Sequence, residues 1–434
     1  MPTAVAPDNP YLQVADRAQR DFVYCAGELL WIKPKDRPLC KLELNWPQRY
    51  IWQRYLQPAW DNREPLALLV LKARREGVST LIRAWHFHKA TFYRGQACYL
   101  TAHDADTSQE LFRMDRTFYQ NLPARLQPPL VANNRMELEY GHEWAGSSMR
   151  VRIAKFEDVG HGKTIQHWHA SECGYYPIDP MTGAPAALPG LLEAVPTTGR
   201  SSIVWETTAV QADTWFHQVW LEAERNKNRR VGYGNRHWQT VFLPWFWHPD
   251  HDAAWHPDYE LLDKEEVGIQ QRFKLSMGQM AWRRGKIEEL NVEYPGQGLR
   301  RFHQQYPATS EEPFLLAGTC VFPEKALDEM RKQERPPSLG FNIVKTGQWR
   351  CNLVEEKHLS DAALVLWEPP RHGCEYTLGV DVSRGVGRDD SAVVVMRMPG
   401  YSVVAHWYDN YVAPKQLAYM VAAIARFYAV RSGT

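Results

Sequence analysis

The stretch LALLVLKARREGVSTLIRAWHFH, Leu66 to His88, decides how the rest of the chain is read. It opens with an apolar run, Leu66 to Leu71, short enough for a buried strand. A basic loop follows, Lys72-Ala73-Arg74-Arg75-Glu76-Gly77-Val78-Ser79-Thr80, and then a segment patterned as a helix. A strand feeding a loop that opens a helix is a setting in which backbone N–H groups and the helix dipole can hold a phosphate. Set on the pattern G-x-x-x-x-G-K-S/T (Walker A), the match is partial. Gly77 and Ser79 fall in place, Lys72 occupies the first glycine position, and Val78 stands where lysine is usual.

A phosphate loop without that lysine needs another cation beside the phosphate oxygens. Lys72, Arg74 and Arg75 are the candidates, and the Ser79 hydroxyl, followed by Thr80, is the candidate magnesium ligand. The competing reading is a basic strand–loop–helix without a ligand, so other stretches must decide. Upstream, Leu44-Asn45-Trp46-Pro47-Gln48 enters a helix through Trp52 and Leu56, and a further helix is expected over Tyr11–Cys25. A glutamine shortly before a phosphate loop can read an adenine edge, because its amide both donates and accepts. Gln48 is the candidate and Gln53 the reserve; a plain surface-helix glutamine fits as well.

Downstream, Gly95 to Ala102 reads as a second strand and Asp104 to Gln120 as a helix with Leu111, Met114 and Phe118 on one face. Arg113 and Arg116 on that helix could meet phosphate, but two such charges read better as a solvated face. The alternation of strand and helix predicts a doubly wound, mostly parallel α/β sheet. Glu137 to Ala154 has hairpin patterning, and Gly160-His161-Gly162-Lys163-Thr164 is a turn. The next strand, Ile165 to Ala170, ends in Ser171-Glu172. Nucleotide hydrolases end such a strand in acid, one carboxylate serving the metal and the next polarising the attacking water. Here Ser171 stands in the metal-side position and Glu172 is the candidate base. His167 and His169 share a strand face and read as core histidines rather than a metal pair. Ser202 to Trp205 is a further strand, and Thr207 and Thr208 at its carboxyl end can sense a terminal phosphate or simply form a turn.

Composition bounds the rest. The chain has 434 residues, which suggests two or three domains. With 51 basic and 50 acidic residues there is no global polyanion signature, so a nucleic-acid surface must be local. Arg225-Asn226-Lys227-Asn228-Arg229-Arg230 is the strongest basic run and a phosphate-contact candidate. Seven scattered cysteines with no C-x-x-C argue against a disulfide framework or zinc ribbon and fit a reducing cytoplasm. His248, Asp250, His251, Asp252 and His256 follow no standard metal spacing and read as a polar loop. No signal peptide or membrane-length apolar run is visible, so a soluble protein is expected. Residues 260–310 read mostly helical, and 331–340 as a charged, Pro-containing linker.

A second domain is expected from about Phe341. Glu375 to Ser383 is an apolar strand bearing Asp381, Gly385 to Asp390 turns the chain, and Ser391 to Met396 returns. Tyr401 to Tyr408 makes a third strand and Pro414 to Ala429 a helix. An aspartate on the central first strand of such a β-β-β-α sheet can hold catalytic metal in a nuclease. A turn-facing Asp with hydrogen bonds of its own is the alternative.

In this order the stretches resemble the large subunit of tailed-phage terminases, from about Leu44 to the end of the chain. The motifs are the lysine-led loop Lys72–Thr80, Ser171-Glu172 and Thr207-Thr208. Gln305-Tyr306-Pro307 with Glu312-Pro313-Phe314 and Gly318 follows, then Gly379-Val380-Asp381 with Gly385 and Asp389. The resemblance implies a P-loop ATPase core over 44–214 after a 1–43 lead-in. A helical lid over 215–330 and the first part of a ribonuclease-H-like nuclease over 341–434 follow. It implies that Lys72, Gly77 and Ser79 hold phosphate and magnesium and that Arg74 serves the transition state. Glu172 would activate water, Thr207 and Thr208 would couple hydrolysis to movement, and Asp381 with Asp389 would bind nuclease metal, Mg2+ or Mn2+.

The implied activity is ATP-driven packaging of double-stranded DNA into a prohead, with an endonuclease that cuts the concatemer. The implied partners are a portal protein, a terminase small subunit and copies of the chain in a ring, in the cytoplasm of an infected bacterium. Two features depart from that pattern. His161 stands where arginine is common, and the later nuclease acids are missing from the sequence, so a fragment or an incomplete nuclease is expected. Rival readings are a DNA helicase or remodelling ATPase, and a non-catalytic virion protein with a degenerate nucleotide fold.

Overall fold

A computed structural model describes residues 10–34, 37–155, 164–179, 181–210, 214–226, 236–253, 264–315, 330, 335–347, 350–383, 385 and 390–432. The chain divides into two compact units, Met1–Thr319 and Cys320–Thr434. Among the described residues no helix is long and apolar enough to cross a membrane.

The first unit begins with helices α1 (Pro10–Arg20) and α2 (Phe22–Leu29). A single helix over Tyr11–Cys25 is expected from the sequence, but Asp21 ends the first by capping the second, accepting a 2.9 Å bond from the Tyr24 N–H. After the short pair β1 (Trp31–Ile32) and β2 (Cys40–Lys41), α3 (Trp46–Ile51) runs through a π-turn into α4 (Gln57–Asn62). Then β3 (Leu66–Lys72), α5 (Val78–Phe92), β4 (Ala97–Ala102) and α6 (Ala105–Asn121) alternate as the apolar periodicity predicts. β5 (Leu130–Asn133), β6 (Glu137–Tyr140) and β7 (Ser148–Ile153) follow, with β6 and β7 pairing as the expected hairpin. β8 (His167–Ser171), α7 (Leu188–Ala194), β9 (Ser202–Thr207), α8 (Trp215–Arg225) and β10 (Trp238–Leu243) complete the sheet.

The order is β10-β3-β9-β8-β4-β7-β6-β5, parallel from β10 to β7 and antiparallel beyond. This is the doubly wound α/β class. Alternation along β3 explains it: Leu68 and Val70 join the core under α5, whereas Ala67, Leu69 and Leu71 join the core under α7 and α8. Every β3 side chain is buried, which places the loop after it at the carboxyl edge of the sheet, where α/β folds hold ligands.

One expectation about this unit is corrected. The sequence reading places the lid over 215–330, yet β10 pairs in register with β3, Val241 opposite Val70. α8 likewise sends Phe216, Val219 and Trp220 into the core beside Trp205. Both belong to the sheet domain; the aromatic run WQTVFLPWFW hides a strand because its half-buried residues lack clean alternation. Helices α9 (Lys264–Phe273), α10 (Met277–Glu293) and α11 (Gly298–Gln305) surround a separate core of Trp245, Met280, Leu290, Phe302 and Tyr306. Ala73 of the basic loop packs into that same core.

The second unit holds β11 (Leu339–Gly347), β12 (Arg350–Glu356), β13 (Leu364–Leu366), β14 (Glu375–Asp381), β15 (Ser391–Met398), β16 (Ser402–Asp409) and a Pro414–Ser432 helix. Its sheet order is β12-β11-β13-β16-β15-β14. The central first strand expected for Asp381 is therefore an edge strand among the described residues, because β14 pairs with β15 alone and the sheet grows on the other side through β13 and β11. Asp381 is its last residue and is exposed, not deep in the strand. Asp389, Gly318, His256, the His161 turn, Lys227 to Arg230 and part of the 331–340 linker lie outside the described residues.

Candidate nucleotide site

The loop after β3 is held from three sides. Leu243 of β10 accepts from the Ala73 N–H at 3.0 Å, and Gln305 of α11 accepts from the Arg74 N–H at 2.9 Å. From α3, the Asn45 amide reaches Glu76 O at 3.3 Å and the Gln48 amide reaches Gly77 O at 2.8 Å. Gly77 sits at φ +77°, and a Cβ there would lie 2.6 Å from Gln48 Nε2, so only glycine fits. The loop thus delivers Ser79 to the first turn of α5.

Gln48 is buried, and its amide oxygen accepts from the Asn45 N–H at 2.9 Å in a capping box. Its donor and acceptor are both engaged in bracing the loop; reading an adenine would require giving one of these up. Thr80 turns away from the loop, its hydroxyl 3.8 Å from the Met114 sulfur of α6. Arg74 and Arg75 are exposed beside the loop, and Arg75 adopts φ +72°.

Lys72 is buried at the end of β3 and turns its ammonium to two carboxylates. Nζ lies 3.0 Å from Glu172 Oε1 and 3.3 Å from Glu206 Oε2. Burial works against the charged ammonium, but the Glu172 and Glu206 charges outweigh it and hold the Lys72 pKa above the usual lysine value. Glu172 follows β8 at φ +50°, a strained backbone of the kind found at working sites. Its second oxygen accepts from the Thr208 N–H at 3.1 Å and from the Thr208 and Thr207 hydroxyls at 3.3 and 3.4 Å. Loop, candidate base and the two threonines therefore form one connected cluster.

Glu206 is the residue that reading the sequence missed. It sits in β9 directly opposite Ser171 of β8. Its carboxylate is wholly buried and accepts from Ser171 Oγ at 2.9 Å, from His169 Nε2 at 3.2 Å, and from the Ser79 hydroxyl. Burial favours the neutral acid, but Lys72 and the His169 hydrogen bond prevail and hold the carboxyl below the ordinary range. Nothing in one sequence signals this, because the role depends on the register of two strands. His169, desolvated and with its pKa lowered, joins the cluster instead of a metal pair with His167, which bonds Ser202 and Gln96.

Hard oxygen donors at a helix start suit magnesium. The Ser79 hydroxyl, the Glu206 carboxylate and the phosphates of a bound nucleotide would supply them. Among the described residues no group of three or more His, Cys, Asp or Glu side chains is arranged to hold a metal by itself.

No protein-family profile matches the chain, and no curated protein does. Solved structures of phage large terminases align with it. The HK97 bacteriophage large terminase aligns at 11% identity and TM-score 0.46, over 89% of this chain and 67% of its own. The large terminase of a thermophilic bacteriophage, solved with ADP, aligns at 9% identity and TM-score 0.36, over 88% of this chain and 74% of its own. The ATPase domain of the Thermus phage P74-26 large terminase aligns at 14% identity and TM-score 0.36, over 59% of this chain and 92% of its own.

Proposed function

We propose that this chain hydrolyses ATP at the Lys72–Thr80 loop and uses the energy to move double-stranded DNA into a phage prohead, as the motor subunit of a terminase. One observation carries the reading: Lys72 Nζ, at the end of the loop strand, meets Glu172 Oε1 at 3.0 Å. That contact supports Lys72, on the strand, as the cation that Val78 leaves missing from the helix.

ATP phosphates would enter at the amino end of α5, where free backbone N–H groups and the helix dipole favour anions. Lys72 is positioned to leave Glu172 for the phosphate oxygens, which frees Glu172 to take a proton. Water then attacks the terminal phosphorus, its proton passes to Glu172, and the bond to ADP breaks. Magnesium, when bound, supplies charge neutralisation at the phosphate oxygens. Arg74, exposed beside the loop, is the candidate to meet transition-state charge. Loss of the Glu172 bonds to Thr207 and Thr208 would report the nucleotide state to β9, and the Arg74–Gln305 bond ties the same loop to α11. Portal protein, small subunit and a ring of copies complete the proposal. Endonuclease chemistry would need further carboxylates brought to Asp381, so the proposal includes no nuclease step.

The test is Glu172→Gln. Turnover should fall by about 10²-fold or more, the usual scale of a lost general base, while a fluorescent ATP analogue still binds. Turnover at the native rate would remove Glu172 from the mechanism. Lys72→Ala should abolish analogue binding as well.

A further inference from the structure

We propose that Glu206 supplies the metal-side carboxylate of this site, taking over from the neighbouring strand the role that Ser171 cannot perform. The inference rests on the ATPase reading above and adds a ligand to it. Serine at the end of β8 is too short and too weak a donor to balance a divalent ion. The parallel register sets Glu206 beside it on the same face, and the two side chains touch at 2.9 Å. From β9 the longer side chain reaches the Ser79 hydroxyl, the group at the start of α5 that would carry magnesium.

Three donors, Ser79, Ser171 and His169, converge on Glu206 Oε1 and fix the carboxylate's orientation. The other oxygen, Oε2, is fully buried, accepts no hydrogen bond, and lies 3.3 Å from Lys72 Nζ. One ammonium thus faces two carboxylates, Glu172 and Glu206. When Lys72 turns to a phosphate, Glu206 is left ionised and dehydrated, a costly state unless a cation replaces the ammonium. Two protein oxygens, from Ser79 and Glu206, are what magnesium accepts when phosphates and water fill its remaining positions.

The experiment follows Mn2+ binding by the loss of free-ion electron paramagnetic resonance signal, with full-length protein and a non-hydrolysable ATP analogue. Glu206→Gln keeps shape and burial but removes the charge. It should weaken Mn2+ binding at least about tenfold, the lower bound for disturbing even a supporting ligand contact, and raise the Mg2+ midpoint of ATP hydrolysis in parallel. Analogue binding in EDTA should be retained or tightened, because the variant leaves no uncompensated carboxylate when Lys72 turns to the phosphate. The double variant Ser171→Asp/Glu206→Gln, which returns the carboxylate to β8, should recover Mn2+ affinity. Unaltered Mn2+ affinity in Glu206→Gln overturns the proposal. So does a loss of metal-free analogue binding that the double variant fails to restore, since that would make Glu206 a counterion for Lys72 only. Should Glu206→Gln not fold, Glu206→Asp decides between the same two outcomes. A wild-type protein that binds neither Mn2+ nor analogue overturns the ATPase reading itself, and a wild type that hydrolyses ATP beside an unaffected Glu206→Gln overturns only this step.

Discussion

Glu76 shows how much a single side chain in the loop can cost. It is wholly buried, and neither carboxyl oxygen has a hydrogen-bond partner. Burial pushes the carboxyl up to about 9, with Lys72 pulling the other way. A folded-state pKa above the unfolded one means that the folded chain retains a proton the unfolded chain releases. Stability is then greatest below the unfolded value of 4.5 and is lost as pH rises toward about 9. Glu76→Gln keeps the volume and removes the titration, so it should stabilise the protein at neutral pH by about 3 kcal/mol at most, at 1.36 kcal/mol per pH unit. In urea unfolding across a pH series, the gap between variant and wild type should widen from about pH 5 to about pH 9 and then level. Parallel curves would show that Glu76 finds a partner.

At the scale of the element, the loop and its two flanking segments act as one piece. Gly77→Ala puts a methyl 2.6 Å from Gln48 Nε2 on a backbone at φ +77°. It should cost about 1–3 kcal/mol of stability and weaken analogue binding, because the Gln48 and Asn45 braces must give way; unchanged binding would mean that α3 does not shape the loop. The next contact along, between α5 and α6, is a buried ion pair. Arg83 Nη2 and Nε meet the two Asp115 oxygens at 2.5 and 3.1 Å, and both side chains are fully buried. Arg83→Met alone should destabilise by about 3–5 kcal/mol, because it strands Asp115. Arg83→Met with Asp115→Leu should recover most of the loss in thermal unfolding; an additive double variant would refute the pairing. The strands and helices around this site were legible because apolar runs and periodicity are local. Leu66–Leu71 could only be buried, and Glu172 stood at a strand end. Glu206, Asn45 and the bracing role of Gln48 were not legible, since each acts through a neighbour 29 to 127 residues away. β10 was missed for a related reason: its partner, β3, not its own pattern, makes it a strand.

Across the whole molecule, 51 basic residues against 50 acidic ones leave little long-range field to attract DNA. A translocating motor must nevertheless grip any sequence, which phosphate contacts do and base contacts do not. The duplex concentration that half-stimulates ATP hydrolysis should therefore be the same for GC-rich and AT-rich DNA. It should rise with salt with a log–log slope of about 0.9 per phosphate contacted. Hydrolysis without DNA should change little over the same salt range, because Lys72 and Glu206 are buried and their pairing is poorly screened. Stimulation by one sequence only would speak for a site-specific binder, and the absence of any DNA effect beside intact hydrolysis would sever the ATPase from translocation.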